Sequence, residues 1–596
     1  TSITIKNNTA TPLTISVKYD LSGNVIKEID GNGNIKDYTY DLLNRKTSET
    51  VNGKTTEYRY DLNGNNTSIT DWRGNTSTYV YDALDRLINV YDVYGKLISE
   101  KLYNANNAQI SDKDALGAVT QYQYDNNNRL ISTTDALNHW TQKSYDGVGN
   151  VISEIAPNGN VKTFAYDKLN NLISVTQTVN GIDEITSYTY DNCGNLLTQT
   201  DAKGNTTKFE YNAADLVSKK IFHGGDSDET KQEVYTYYAD GTIATKTDRN
   251  GVTISYTYDI VNRPIQIVAG SKTVTNSYDA AGNKLSVIDD IGTITRTYDA
   301  EGRALTKVQP NIGTFTYTYD VVTGVPEGEY AEISVNPANK TNKKVFDKAG
   351  RLHYVYDGDV LAATYTYYDN GALQKVVYGN GAAEEYTYFA DGNLQTLINK
   401  NAEGTVTDQY TYAYDSNGNQ ISKTEIIASV NKGTTNYSYN ELDQLIRVVE
   451  PSGKTTDYSY DKAGNRISEL ITENGTTTPT VYTYDELNRL LKTVTTIADA
   501  VITYDYQYDY NGNLYSKTKS TQGSDTTLEK LVGITIAGET QNGVSKYTEF
   551  YEYDEFNQLV KLMNGASVNA YAYNGEGMRV AKTVGDTTTL YGYEYD

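Results

Sequence analysis

Runs of six to eight residues that mix Thr, Val, Ile, Leu and Tyr with polar positions alternate along the chain with clusters of Asp, Asn and Gly. In Asp114–Asp135 one run is rich in Val, Thr and Tyr, and the next in Leu, Ile, Ser and Thr. Each is bounded by turn formers, which is the signature of a strand. Tyr122 and Tyr124 stand two apart, so they share one face of a sheet. The same T-x-Y-x-Y-D cadence recurs at Tyr188/Tyr190, Tyr256/Tyr258, Tyr317/Tyr319, Tyr412/Tyr414, Tyr458/Tyr460 and Tyr482/Tyr484. No segment holds an uninterrupted 3.6-residue apolar period. Strands are predicted throughout.

The pattern is periodic. Tyr-Asp pairs at Tyr19, Tyr40, Tyr60 and Tyr81 are spaced 21, 20 and 21 residues apart, and the pair still recurs at Tyr553, Tyr573 and Tyr595. A fixed period over such a length marks one supersecondary unit stacked on its neighbours. In turn after turn, Gly, Asn or Asp stands three residues past the Asp: Gly64 after Tyr60-Asp61, Asn128 after Tyr124-Asp125, Asn262 after Tyr258-Asp259, Gly464 after Tyr460-Asp461, Asn488 after Tyr484-Asp485. These residues tolerate the left-handed backbone, so a type I turn closed by a left-handed residue is predicted. A second turn of the same grammar falls mid-repeat, as in Asp71-Trp-Arg-Gly74 and Asp201-Ala-Lys-Gly204. Two strands and two turns per repeat predict an all-β fold, a continuous array of antiparallel hairpins over 1–596.

Open sheets seldom exceed about 10 strands without curling, and strand twist has a fixed hand. About 25 repeats give on the order of 50 strands at about 4.8 Å each, so the ribbon is expected to spiral into a barrel-like wall. At a circumference of about 130 Å the diameter would be near 40 Å, too wide for side chains to fill. The expectation is a hollow shell with covered sheet edges. Apolar content is thin: with Gly counted and Tyr left out it is about 36 %, against about 45–50 % for ordinary domains. The 57 tyrosines are therefore expected to supply much of the packing.

The net charge of −24 comes largely from turn aspartates and reads as a solvated rim. It disfavours nucleic acid, whose phosphates need an excess of Lys and Arg. A lone Cys193 allows no internal disulfide, and no 18-residue apolar run spans a membrane. With no initiator Met and an end at Tyr595-Asp596, the chain is expected to be a piece of a longer one. Residues 320–356 and 509–553 are irregular inserts, read either as a plug or as hairpin extensions of the wall. The second includes Leu528–Ile536.

The residues offer little chemistry. Asn212, Asn440 and Asn574 replace the recurring Asp in otherwise intact repeats. A turn-capping side-chain oxygen survives that exchange, whereas a general acid does not. The Tyr-Asp-Gly/Asn positions are thus structural. Asp415–Asn419 resembles the start of a calcium loop, but Ile426 stands where the closing Glu belongs, so an ordinary turn is preferred. His223–Glu229 reads as a surface loop, and His139, His223 and His353 are scattered. No catalytic, cofactor-binding or metal residues and no cofactor are expected.

Tyr60-Asp-Leu-Asn-Gly-Asn65, Tyr124-Asp-Asn-Asn-Asn-Arg-Leu130, Tyr460-Asp-Lys-Ala-Gly-Asn-Arg466 and Tyr484-Asp-Glu-Leu-Asn-Arg-Leu490 closely resemble the RHS/YD-repeat family. Its members include bacterial Rhs polymorphic toxins, cocoon-forming subunits of insecticidal toxin complexes, wall-associated Rhs proteins and teneurins. The resemblance implies a hollow shell of spiralling hairpins, secreted or at the cell surface, which in the bacterial toxins sequesters a C-terminal toxic domain. The self-cleaving core that follows the repeats in toxin-type members contains an Asp-Pro stretch. None of the eight prolines here follows an Asp, so no residue inherits a protease role. The expected function is a non-catalytic shell around a toxin domain of the parent chain. An extracellular adhesion or recognition module with cell-surface or cell-wall ligands is the alternative. An enzyme acting on glycans ranks last.

Overall fold

The computed structural model describes residues 2–5, 13–522, 540–541, 544–565 and 567–594. Among them are 53 strands, all in one sheet, and a single short 3-10 turn at Glu229–Lys231. Nearly all successive strands pair antiparallel from Ser2–Ile5 to Thr587–Leu590, with Thr540–Gln541 the exception, so the described residues follow one meander. Local chemistry explains the repeat. In the turn after Tyr60, Asp61 N–H donates to the Asn65 carbonyl at 3.0 Å, and Gly64 N–H donates to the Asp61 carbonyl at 3.3 Å. That geometry needs a left-handed residue before the chain re-enters the ladder. φ is +98° at Gly64 and +61° at Asn128. Each such turn leaves one extra residue on the returning strand: Arg59 pairs with Ser68 and Tyr60 with Asn66, so Thr67 bulges.

The ribbon winds upon itself. The turn between strands Ile243–Thr247 and Thr253–Tyr258 meets the turn between Ala500–Tyr508 and Leu514–Gln522, twenty-three strands further on, where Asn511 Nδ2 donates to Asp248 Oδ2 at 2.7 Å. Contacts of this kind link residues 247 to 286 positions apart, from Asn32–Asp279 to Asp289–Gly575. At about 4.8 Å per strand one winding measures about 110 Å around and about 35 Å across, leaving a hollow centre. The shell closes differently from the expectation of covered edges. Among the described residues, Ser2–Ile5 pairs only with Leu13–Tyr19, and Thr587–Leu590 only with Arg579–Val584. A spiral offsets its two ends along the axis, so turns rather than ladders seal one winding to the next.

The core is thin. The bulkiest fully buried side chains among the described residues are Ile294, Val287 and Val345. Val274, Val287 and Ile294 pack with Ile267 and with Phe556 from the next winding. Gly575 rests there too, where a Cβ would come within 2.8 Å of Val287. Across residues 320–356, strands Gly313–Val321, Tyr330–Val335, Thr341–Phe346 and Leu352–Asp357 pair in succession. In 509–553, Leu514–Gln522 pairs directly with Val544–Tyr553, and Thr540–Gln541 adds a short strand to the latter. Leu528–Ile536 lies outside the described residues.

Candidate functional site

Each Tyr-Asp turn is a small hydrogen-bonded device. Asp61 Oδ1 accepts from the N–H groups of Asn63 and Asn65 at 3.0 and 2.8 Å, and Oδ2 accepts from Asn65 Nδ2 at 2.9 Å. Asp461 repeats this with Ala463 and Asn465. Asp125, Asp259 and Asp485 use the same Oδ1 bonds, with Oδ2 taken by Nε of Arg129, Arg263 and Arg489 at 2.7, 2.7 and 2.6 Å. The side-chain amide of Asn65 and the backbone N–H groups hold the Asp61 carboxyl below the usual carboxylate range. For Asp125 the Arg129 backbone N–H is the largest cause, with burial opposing it. Where Asn replaces Asp the Oδ1 bonds persist: Asn212 accepts from Ala214 and Leu216, and Asn574 from Glu576 and Met578. Asn262, Gly464 and Asn488 take φ of +60°, +82° and +60°.

The turns are tied side by side along the rim. Arg129 Nη1 donates to the carbonyl of Asp146 in the next repeat at 2.9 Å, and its guanidinium lies 4.7 Å from the Tyr145 ring centroid. Arg263 does the same to Asp279 and Tyr278. Where Asn fills this place the link is an amide: Asn65 Nδ2 reaches Asp85 Oδ1 at 2.7 Å. The tyrosines point the other way along the chain. The hydroxyls of Tyr60, Tyr124, Tyr460 and Tyr484 donate to the carbonyls of Lys46, Gln109, Leu445 and Arg466 in the preceding repeat. Tyr258 instead meets Tyr238 edge-on, at 6.2 Å between centroids. The sequence pattern foresees packing by these rings but not the carbonyl each hydroxyl finds.

The seam between windings is the larger feature. Mid-repeat turns of the first winding seat on Tyr-Asp turns of the second. Lys54 pairs with Asp320 at 2.5 Å, Lys203 with Asp461 at 3.0 Å, Lys272 with Asp554 at 2.9 Å and Arg296 with Glu576 at 2.7 Å. Lys96 with Asp369 and Lys231 with Glu486 continue the row. Cover varies along the row: Asp554 is 4 % exposed and Arg296 2 %, whereas Lys96 and Asp369 are about half exposed. Amides add to it, as where Asn75 Nδ2 donates to the Gly328 carbonyl at 2.9 Å. The residue following the turn Asp or Asn suits this role in the second winding: Glu441, Glu486 and Glu555. On the open rim of the first winding the same place holds Leu21, Leu42 and Leu62, all fully exposed.

Elsewhere the candidates resolve into structure. Asp415–Asn419 is an ordinary turn, with Asp415 N–H on the Asn419 carbonyl at 2.9 Å. In His223–Glu229, Asp228 caps the 3-10 turn through Thr230, and His223 Nδ1 accepts from Thr206 N–H at 3.0 Å. His353 Nδ1 lies 2.9 Å from Glu329. His139 meets Asp135 and, across the seam, Asp391. Sequence reasoning could not assemble that trio, because 252 residues separate His139 from Asp391. Among the described residues no helix is long and apolar enough to cross a membrane.

Known proteins agree with this architecture. The RHS Repeat family model matches residues 145–182 and 439–478, and the Teneurin YD-shell model matches 1–150. The chain is 30 % identical over 159 residues to the tRNA nuclease WapA of Bacillus subtilis, a match covering 26 % of this chain and 6 % of that protein. The tRNA3(Ser)-specific nuclease WapA of Bacillus spizizenii matches to the same extent. Among solved structures, TcdB2-TccC3 superposes with a TM-score of 0.61 at 16 % identity, over 97 % of this chain and 37 % of that one. The Tc holotoxin pore of Photorhabdus luminescens gives 0.62 at 15 % identity, over 97 % and 39 %. The chain thus spans well under half of each of these relatives.

Proposed function

We propose that this chain, an RHS/YD-repeat protein, is the wall of a container that holds a toxic polypeptide segment apart from its surroundings. The observation that carries this reading is the sealed seam. Ion pairs and amide bonds join windings 247 to 286 residues apart in a ring about 35 Å across, whose centre, narrowed by the inward side chains, still admits an unfolded segment. The likeness to TcdB2-TccC3 and the Tc holotoxin pore supports containment of a toxin. In this reading the wall performs no catalysis. The nuclease named in the Bacillus relatives belongs to chains of which the match spans 6 %, and it is not assigned here. The cargo is a further part of the same parent chain, and delivery is to the cell surface or outside the cell.

Limited proteolysis of the parent protein tests this. The enclosed segment should resist protease while the wall is intact, and should be cut once Lys272→Glu and Arg296→Glu open the seam. Equal digestion rates with and without the seam would refute containment. A second reading, an extracellular recognition module, draws on the match of residues 1–150 to the Teneurin YD-shell model. Saturable binding of the isolated wall to intact cells would favour it.

A further inference from the structure

At one station of the seam two carboxylates converge on a histidine. Asp135 and His139 lie in a mid-repeat turn of the first winding, and Asp391 lies in the turn that faces it from the second. One donor atom from each lies within 4.8 Å of the other two, and all three residues are half-buried. Among the described residues, neither carboxylate has a lysine or arginine at ion-pair distance; the His139 imidazole, 3.0 Å from Asp135 Oδ2, is the sole partner of that kind. Two carboxylates converging in a half-covered crevice repel each other unless positive charge sits between them.

Local sequence places these groups deliberately. The usual leading Asp of the second-winding turn is replaced by Phe389, and the acid stands two residues later at the tip, as Asp391. Asn393 fixes its rotamer, its N–H donating to Oδ1 at 3.0 Å and its side-chain amide to Oδ2 at 2.8 Å. Each oxygen keeps a second lone pair. Asp135 Oδ1 is occupied by the N–H groups of Leu137 and His139 at 2.9 and 2.8 Å, which turns Oδ2 toward the imidazole. His139 stands where Asn34, Asn75 and Asn205 close equivalent turns with amides.

We propose that Asp135, His139 and Asp391 form a divalent metal site that staples one winding of the wall to the next. An imidazole with two carboxylates suits Zn²⁺ or Mn²⁺ better than Ca²⁺ or Mg²⁺, which prefer all-oxygen shells. Ligands on one Zn²⁺ at about 2.1 Å stand about 3.4 Å from one another, so the widest pair of the trio needs to close by at most about 1.4 Å, with water completing the shell. The site is independent of what the shell holds, because both halves belong to the wall itself.

Metal retention by the whole chain tests the site. After dialysis against Zn²⁺ and then metal-free buffer, elemental analysis should find one equivalent per chain, and Mn²⁺ should compete. His139→Ala and Asp391→Ala should retain at least about tenfold less, since each removes a ligand. His223→Gln and His353→Gln should retain the full equivalent. Asp391→Asn, which keeps an oxygen toward Asn393, covers the case of an alanine variant that does not fold. Zn²⁺ should also raise the thermal midpoint of the native chain and leave that of His139→Ala unmoved. Absence of a stoichiometric equivalent, or retention by the His139 and Asp391 variants equal to that of the native chain, overturns the site.

Discussion

Tyr124 donates its hydroxyl proton to the main-chain carbonyl of Gln109 at 2.9 Å, fastening each repeat to the one before it. Removing the oxygen alone should cost about 1 kcal/mol, the net worth of one such bond. Tyr124→Phe is therefore expected to lower the denaturant midpoint slightly, and Tyr124→Ala considerably more, because the ring also packs between strands. Equal midpoints for Phe and native Tyr would show that the carbonyl is served equally well by water.

The seam pair Lys272–Asp554 should matter more than its surface location suggests, since Asp554 is almost wholly covered. Lys272→Glu sets two acids against each other and should destabilise by about 2–3 kcal/mol. The exchange Lys272→Glu with Asp554→Lys should recover part of that loss. Small-angle scattering reads the outcome independently, since opening of the seam enlarges the radius of gyration. A double variant no better than the single one would place the loss in packing rather than charge.

Turn chemistry makes a sharp contrast testable at two sites. Gly64→Val forces a branched side chain into a backbone with φ of +98° and should cost about 1–2 kcal/mol. Asn128→Gly, at +61°, should be tolerated within about 0.5 kcal/mol. Chemical denaturation of both variants under one condition decides this.

Acid should loosen the wall from its turns. The carboxyls of Asp61, Asp125 and Asp191 are held below their ordinary value, with side-chain and backbone donors outweighing burial. A lowered folded-state value contributes stability above the unfolded value, about 3.9, and that contribution is lost as pH falls through the folded value. Denaturant midpoints should stay level from pH 8 to 5 as far as these groups decide them, then fall below about pH 4. A midpoint unchanged down to pH 2 would contradict the Asx geometry.

Leu21, Leu42 and Leu62 stand fully exposed on the open rim. Replacing all three by Ser should leave stability within about 0.5 kcal/mol, as for surface positions generally, while reducing hydrophobic-dye binding and self-association. Loss of stability instead would mean that these side chains pack within the wall.

The repeat unit is legible from sequence because its turns restrict identity so severely. Asn44, Gly64 and Asp85 occupy a backbone region that other residues avoid, so the chemistry of single positions reveals both the turn and its spacing. Asn212 in place of Asp likewise identifies the side-chain oxygen as a cap. The seam is not legible. Lys54 and Asp320 lie 266 positions apart, and nothing in the repeat motif that contains Asp320 points to Lys54. Which turn meets which depends on the number of strands per winding, and small increments of twist summed over more than twenty strands set that number. Residues 320–356 are ambiguous for a related reason: an irregular spacing looks the same whether the segment leaves the ladder or lengthens it, and it does not disclose the pairing of Tyr330–Val335 with Thr341–Phe346.

The offset of 247 to 286 residues between partners across the seam also has a meaning in time. Neighbouring strands can zip as soon as they leave the ribosome, but Lys272 finds nothing to grip until Asp554 has been synthesised. The early half of the molecule thus serves as a scaffold on which the later half is laid, course upon course, like masonry. Adding or deleting a single repeat between Lys272 and Asp554 would shift the upper course by one brick and set lysines opposite the wrong neighbours.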